Sequence, residues 1–129
     1  DNEAAHAKVW FKLLHDGMPA TLDNLADCVA GEHYEWSSMY SDFANVARSE
    51  GYEEVAVLFE MVAGVEKEHE ERYKQLSDNI KQQKVFQKPE KVYWQCRYCG
   101  RIHYAESAPE ICPICGHPQG YFQIKPENY

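Results

Sequence analysis

Four of the five cysteines form two closely spaced pairs in the last third of the chain. Two residues separate Cys96 from Cys99, two separate Cys112 from Cys115, and twelve residues lie between the pairs. Two thiolates on one tight turn can bind the same ion, and two such turns complete a tetrahedral four-sulfur site. An odd number of cysteines, four of them in such pairs, indicates a metal site rather than a disulfide framework. Spacing alone leaves zinc and iron open.

Carboxylates and histidines form a second pattern, of pairs three residues apart. Residues at this spacing project from the same side of a helix. Glu66 and His69 interrupt an apolar stripe between Val62 and Tyr73, so we expect them to point inward. Six such ligands in a helical core would cost several kcal/mol each without a cation, which predicts a two-metal carboxylate site, with coincidental salt bridges as the alternative. The three pairs are Glu3 with His6, Glu32 with Glu35, and Glu66 with His69.

Three helices must position these ligands. Apolar periodicity predicts the first over residues 3–15 and the second from an N-cap at Thr21 to Gly51. The third is predicted from Tyr52 to about Gln83, with Lys67, Glu68, Glu70 and Glu71 outside its apolar stripe and in solvent. Short turns between long helices predict antiparallel neighbours. Cys28 is expected to be buried or half-buried, and Trp10, Trp36 and Tyr73 to lie in the core.

A constant offset of 63 residues relates the Glu3-x-x-His6 pattern, with Trp10 and Leu13, to the Glu66-x-x-His69 pattern, with Tyr73 and Leu76. Such an internal duplication would place the two helices symmetrically about a dinuclear centre. The bundle would then have three of its four helices in this chain. We expect the first helix, with its own Glu, to come from a cleaved segment or from another chain.

Charge and composition change near Phe86. Residues 1–85 carry 8 basic and 17 acidic side chains, and residues 86–129 carry 5 and 4, within a net charge of −8. We therefore predict two domains, a helical one over 1–85 and a second one over 86–129. The second domain is too small to be stable by apolar burial alone, so we expect bound metal to stabilise it. An acidic body without a basic stripe argues against nucleic acid, and no apolar run approaches a membrane span. The absence of a leader-like segment predicts a cytoplasmic protein.

The local sequences CRYCG at 96–100 and CPICG at 112–116, set among aromatic residues, are similar to rubredoxin, which favours iron and one-electron transfer. Together with NEAAH at 2–6, GEHYEW at 31–36 and VEKEHEERY at 65–73, they make the whole chain resemble the rubrerythrin family. That resemblance implies an all-α ferritin-like antiparallel bundle followed by a small β/loop rubredoxin-like domain. It also implies that Glu3, His6, Glu32, Glu35, Glu66 and His69 hold a di-iron centre, and that Cys96, Cys99, Cys112 and Cys115 hold a single iron.

The implied activity is reduction of hydrogen peroxide to water in oxidative stress protection, with Glu35, His6 and Tyr40 as the catalytic residues. Electrons would come from an external donor, either a rubredoxin or an NAD(P)H-dependent reductase, so the enzyme would be an NADH-linked peroxidase acting through a separate reductase. A homodimer or higher oligomer is expected, and zinc is a candidate substitute for iron. Two alternatives remain: a ferritin-like protein that oxidises and handles iron with O2, and a zinc-ribbon structural adaptor.

Overall fold

The computed structural model describes residues 2–128, which divide between Asp78 and Asn79 into two compact units. The first unit is helical and the second contains a small antiparallel sheet. This arrangement confirms the predicted fold class. Within residues 2–128, no helix combines the length and the apolar composition that crossing a membrane requires.

The helical unit begins with α1 (Asn2–Leu14) and continues with α2 (Thr21–Tyr34). A π-helical turn (Glu35–Met39) then leads without a break into α3 (Tyr40–Ser49). The last helix, α4 (Glu53–Lys81), crosses from the helical unit into the second unit. The π-turn was not predicted, because one extra residue in a helix leaves no clear signal in apolar periodicity.

The ends of the second predicted helix differ in how well they were predicted. Ala20, not Thr21, is the N-cap, and no side chain caps this end. At the other end Gly51 has φ +87°, a left-handed conformation that favours glycine. The amide N–H of Tyr52 donates to the Ala47 carbonyl at 2.8 Å, and that of Gly51 to the Arg48 carbonyl at 3.0 Å. Gly51 therefore ends the helix as the sequence predicts.

Small residues make the contact between α3 and α4. Ala44, Ala47 and Ala56 are buried, and Phe59 packs against them. Because these side chains are short, the two helices can approach closely, but they bury little apolar area. None of the buried residues of the described helical unit is a large hydrophobic residue. Trp10 is 63% exposed, so its predicted core position is wrong.

The second unit contains β1 (Gln87–Cys96), β2 (Ile102–Ser107) and β3 (Phe122–Ile124) in the antiparallel order β2-β1-β3. Its core is formed by Trp94, Ala108 and Phe122 together with two of the cysteines. The indole N–H of Trp94 donates to the Ala105 carbonyl at 3.0 Å, so the largest buried side chain is also satisfied as a donor.

Candidate metal centres

The four paired cysteines converge at one point of the second unit. The Cys96 and Cys115 sulfurs lie 3.8 Å apart, and those of Cys99 and Cys112 lie 3.6 Å apart. A tetrahedral ion with metal–sulfur bonds of about 2.3 Å requires sulfur–sulfur edges of about 3.8 Å. All four ligand atoms lie within 4.8 Å of one another. The cluster therefore has the size of a four-sulfur metal site, and these cysteines are free of disulfides.

The two cysteine turns share one backbone design. The N–H of Gly100 donates to the Cys96 carbonyl, and the N–H of Gly116 donates to the Cys112 carbonyl, both at 2.9 Å. Both glycines have positive φ, +78° and +71°, which lets each turn close beneath its sulfurs. The matched turns explain why a CxxCG sequence predicts this site well.

Backbone N–H groups also shape the electrostatics of the sulfurs. The N–H groups of Cys115 and Ile114 face the Cys112 sulfur and lower the pKa of that thiol to about 6. The pKa of Cys115 is raised to about 12, mainly by burial and partly by the neighbouring sulfurs. Four thiolates this close repel one another, so a cation is needed for all four to be charged together. The donor set thus fits a soft, tetrahedral metal ion.

A second cluster joins α2 and α4. His69 Nδ1 lies 2.7 Å from a Glu66 oxygen and 3.7 Å from a Glu32 oxygen. The Glu32 and Glu66 side chains are 16% and 14% exposed. Burial and the adjacent Glu66 charge raise the pKa of Glu32. Two carboxylates crowded in a half-buried position beside an imidazole suit a bound cation, which would remove their mutual repulsion.

The other predicted bundle ligands lie outside this three-residue cluster. Glu35 begins the π-turn, is half-buried, and its charge contributes to the raised pKa of Glu32. Glu3 and His6 pair with each other on α1 at 3.6 Å, with side chains 94% and 63% exposed. Tyr40 begins α3 and packs against the Phe59 ring, with centroids 6.1 Å apart. The structure therefore gathers half of the predicted di-iron ligands.

Sequence reasoning also misplaced Glu70. It was expected in solvent, yet only 4% of the residue is exposed. The indole N–H of Trp36 donates to its carboxylate, the Lys74 ammonium donates at 2.8 Å, and His33 Nδ1 lies 3.3 Å away. Lys74 and then Trp36 hold the pKa of Glu70 at about 2. The signal available in the sequence was its i, i+4 spacing to Lys74.

Glu70 and its partners form an inter-helix clamp beside the metal cluster. Trp36 follows Glu35, His33 follows Glu32, and Glu70 follows His69. The residues that link the helices are therefore each one residue away from a predicted ligand, whereas Lys74 lies on α4 itself, four residues after Glu70. Cys28, in contrast, is exposed rather than buried or half-buried as expected.

A helical domain with a carboxylate–histidine metal cluster, followed by a domain with a four-cysteine metal site, defines a class of non-haem iron proteins. The family model "Rubrerythrin" matches residues 1–77, and the model "Rubrerythrin, rubredoxin-like domain" matches residues 94–123. The chain belongs to the rubrerythrin family. The sites it carries are accordingly a di-iron carboxylate centre in the helical domain and an iron centre on the four cysteines.

Two curated relatives agree with this assignment. Rubrerythrin-1 of Clostridium acetobutylicum is 43% identical over 145 residues, which cover 100% of this chain and 74% of that protein. Rubrerythrin of Nitratidesulfovibrio vulgaris is 41% identical over 141 residues, with the same coverage. The solved structure "Partially Reduced State of Nigerythrin" is 30% identical, with a TM-score of 0.48, and covers 84% of this chain and 52% of that chain. The chain thus spans about three quarters of these curated relatives and about half of the nigerythrin chain.

Proposed function

We propose that this chain is the iron-bearing part of an oxidoreductase that reduces hydrogen peroxide to water and so protects the cell from oxidative stress. The observation that carries the proposal is the presence, on one chain, of a four-sulfur site and a carboxylate–histidine cluster. The first is suited to one-electron transfer, and the second to chemistry that needs two electrons. Family membership supports joining them in one activity.

We assign the helical domain to residues 1–85 and the rubredoxin-like domain to residues 86–129. Iron in the bundle would supply the two electrons that cleavage of the peroxide O–O bond consumes, together with Lewis-acid polarisation of that bond. The proposed bundle ligands are Glu3, His6, Glu32, Glu35, Glu66 and His69, and the proposed ligands of the single iron are Cys96, Cys99, Cys112 and Cys115.

The chain's own residues have defined tasks in this scheme. Carboxylates offset the cationic charge in the bundle. Burial and the Glu66 charge raise the pKa of Glu32, so a cation bound there would favour its charged form. Glu35 and His6 are proposed to serve as alternative ligands as the charge of the centre changes. Tyr40 is proposed as a proton or hydrogen-bond donor near the centre.

Electrons would reach the four-cysteine site from a rubredoxin or an NAD(P)H-dependent reductase. The protein would then be an NADH-linked peroxidase that acts through a separate reductase. We place it in the cytoplasm, because a reducing compartment keeps paired thiols available for metal. We also propose a homodimer.

The experiment follows the four-cysteine iron after anaerobic reduction. Oxidised iron in a four-sulfur site is red, so reoxidation appears as the return of visible absorbance. We expect peroxide to restore the colour faster than air-saturated buffer does. Faster reoxidation by air would favour the iron-handling alternative, and a colourless protein containing zinc would favour the structural adaptor.

A pair of variants on α4 tests the role of the bundle. Glu66→Gln removes a charged ligand from the cluster and should abolish peroxide-driven reoxidation while leaving the red colour intact. Glu68→Gln removes an equal charge from an exposed position two residues away and should behave like the wild type. Equal loss in both variants would contradict the assignment of Glu66.

A further inference from the structure

One aromatic residue lies at the centre of the side-chain contacts beside the carboxylate–histidine cluster. Trp36 is half-buried, and its indole N–H donates to the buried Glu70 carboxylate. The His33 ring lies nearly perpendicular to the indole, with centroids 5.1 Å apart and planes at 85°. The Lys67 ammonium lies 5.4 Å from the centre of the indole ring, within the range of a cation–π contact. A hydrogen bond, an aromatic contact and a cation therefore hold Trp36 together.

These contacts follow the proposed metal ligands one residue along the chain. Successive residues of a helix lie about 100° apart around its axis, so ligands and contacts occupy neighbouring faces of the same backbone turns. A shift of the contact group therefore shifts the ligand group with it. The pairs of ligand and contact residue are Glu32 with His33, Glu35 with Trp36, Glu66 with Lys67, and His69 with Glu70.

Three of these four ligands are held by contacts with one another. His69 Nδ1 lies 2.7 Å from a Glu66 oxygen and 3.7 Å from a Glu32 oxygen. Glu35 lies outside that three-residue cluster, at the start of the π-turn. The place of Glu35 beside the cluster therefore depends on how the π-turn is held.

A hydrogen bond from the π-turn anchors it to α4. The backbone N–H of Tyr40 donates to the Glu35 carbonyl, five residues earlier, so one extra residue is accommodated in this turn. Single π-turns are rare and occur frequently at functional sites. The second residue of the turn is Trp36, and its indole reaches across to Glu70 on α4. The bond thus fixes the turn that begins with Glu35.

The Glu70 end of this bond is fixed as well. The Lys74 ammonium donates to its carboxylate at 2.8 Å, and His33 Nδ1 lies 3.3 Å away. Burying a carboxylate is costly unless it is paired and hydrogen-bonded, and these partners satisfy it. Because the acceptor is charged, the hydrogen bond from the indole is stronger than one to a neutral group. Glu70 is therefore a firm attachment point for Trp36.

We propose that Trp36 and Glu70 are positioning residues of the bundle metal centre, and that their hydrogen bond sets the place of Glu35 beside the three-residue cluster. Neither is a metal ligand: Glu70 acts through Trp36, and Trp36 acts through the π-turn that carries Glu35. Because the bond joins protein groups alone, it holds before metal binds, and the metal meets a ligand that is already in place. The proposal rests on the ligand set of the proposed function and adds the residues that position one member of that set.

Binding of Mn²⁺ tests this role without any redox chemistry. Manganese is a hard cation that favours carboxylate over thiolate ligands. The full chain keeps iron on its four cysteines, the bundle is emptied with a mild chelator, and free Mn²⁺ is followed by EPR during titration. Trp36→Phe removes the indole donor and keeps an aromatic ring, and Glu70→Gln removes the charge of the acceptor. We expect each variant to bind Mn²⁺ about 10-fold to 100-fold more weakly, the usual effect of losing a group that orients a metal ligand.

Combined variants separate positioning from independent effects. If Trp36 acts through Glu35, adding Trp36→Phe to Glu35→Gln should weaken Mn²⁺ binding by less than about 2-fold further. Adding Glu70→Gln to Trp36→Phe should likewise have little further effect, since both remove the same bond. Losses that multiply in either pair would overturn the proposal, because they would show that the residues act independently.

The EPR spectrum of the bound manganese gives a second measurement. Two Mn²⁺ ions that share carboxylates are spin-coupled and have more closely spaced hyperfine lines than a single ion. The wild type should give the coupled spectrum, and Trp36→Phe should give single-ion lines first and the coupled spectrum only at higher Mn²⁺ concentration. A coupled spectrum at the same Mn²⁺ concentration in both proteins would contradict the positioning of Glu35.

Two control variants distinguish positioning from a general loss of stability. Gly51→Ala strains the same helical unit at a position with φ +87°, outside the clamp. Glu71→Gln removes a charge next to Glu70 that also contacts Lys74, at 3.2 Å. Both should bind Mn²⁺ like the wild type. Weakening by Gly51→Ala as large as that by Trp36→Phe would show that lost stability is sufficient, and the proposal would be overturned.

The outcomes for the wild type separate this proposal from the proposed function. Absence of bundle-bound Mn²⁺ in the wild type would overturn the ligand set and the positioning role together. Equal binding by the wild type, Trp36→Phe and Glu70→Gln would overturn the positioning role alone. No peroxide is used, so failure of the peroxidase proposal would leave every one of these results readable.

Discussion

The two metal sites of this chain differ in how much of each site is formed by residues close together in the sequence. The four-cysteine site lies in a unit that buries Trp94 and Phe122, and all four of its sulfurs meet. The helical unit buries mainly alanines, and three of its six proposed ligands meet. A site made from two local turns is complete wherever its short segment folds. A site made from one ligand pair on each of several helices needs every helix in place.

The two cysteine turns, 96–100 and 112–116, are called knuckles below. The largest expected effect comes from removing one knuckle sulfur. Cys112→Ser takes away a buried ligand from a unit too small to fold well on its apolar core. Because structural metal sites contribute about 10 kcal/mol or more of folding free energy, the second unit should lose both its iron and its ordered sheet. Visible absorbance and amide hydrogen exchange over 79–129 would measure this.

The matched control is Cys28→Ser, which alters the exposed cysteine outside the knuckles. It should retain full colour and full protection from exchange. Persistent exchange protection of the sheet in the iron-free Cys112→Ser variant would show that the apolar core holds this unit together without metal. Folding of the second unit would then not depend on its four-cysteine site.

A smaller effect concerns Glu70 and acid. Its folded pKa, about 2, lies below the ordinary value of 4.5, so the unfolded chain binds the proton first as the pH falls. The stabilisation by Glu70 should be complete above about pH 4.5 and lost as the pH approaches 2. Urea unfolding of the helices, followed by circular dichroism, should show Glu70→Gln less stable than the wild type at pH 7, with the difference shrinking through this window.

Glu71→Gln is the control for Glu70, since Glu71 also contacts Lys74 but is 62% exposed. It should change stability little at any pH, as exposed ion pairs do. A pH-independent difference between Glu70→Gln and the wild type would show that the carboxylate charge is not what matters there.

The sequence predicted the features that depend on local pattern. The CxxCG turns, the end of a helix at Gly51 and the inward phase of Glu66 and His69 all follow from short-range rules. The burial of Glu70 was missed because it depends on Trp36, a residue 34 positions away and carried on an unpredicted π-turn. The exposure of Trp10 was missed for a related reason: periodicity shows that a face is apolar, but it does not show what covers that face.

The smallest prediction concerns backbone strain at Gly51. An added Cβ meets no atom within 4 Å there, so Gly51→Ala tests the left-handed conformation alone. We expect the helical unit to lose about 1 kcal/mol of unfolding free energy. Gly31→Ala, in equally open space but inside α2, should instead gain about 0.5–1 kcal/mol from helix propensity.

The same strain can be placed in the knuckle by Gly116→Ala, where φ is +71° and space is again open. Folding and metal binding are coupled in that unit, so the cost should appear as faster loss of iron to a chelator rather than as a lower unfolding midpoint of the helices. Metal retention equal to that of the wild type would mean that the knuckle relaxes around an alanine. The four-sulfur site would then be less dependent on its glycine turns than the matched hydrogen bonds of Gly100 and Gly116 indicate.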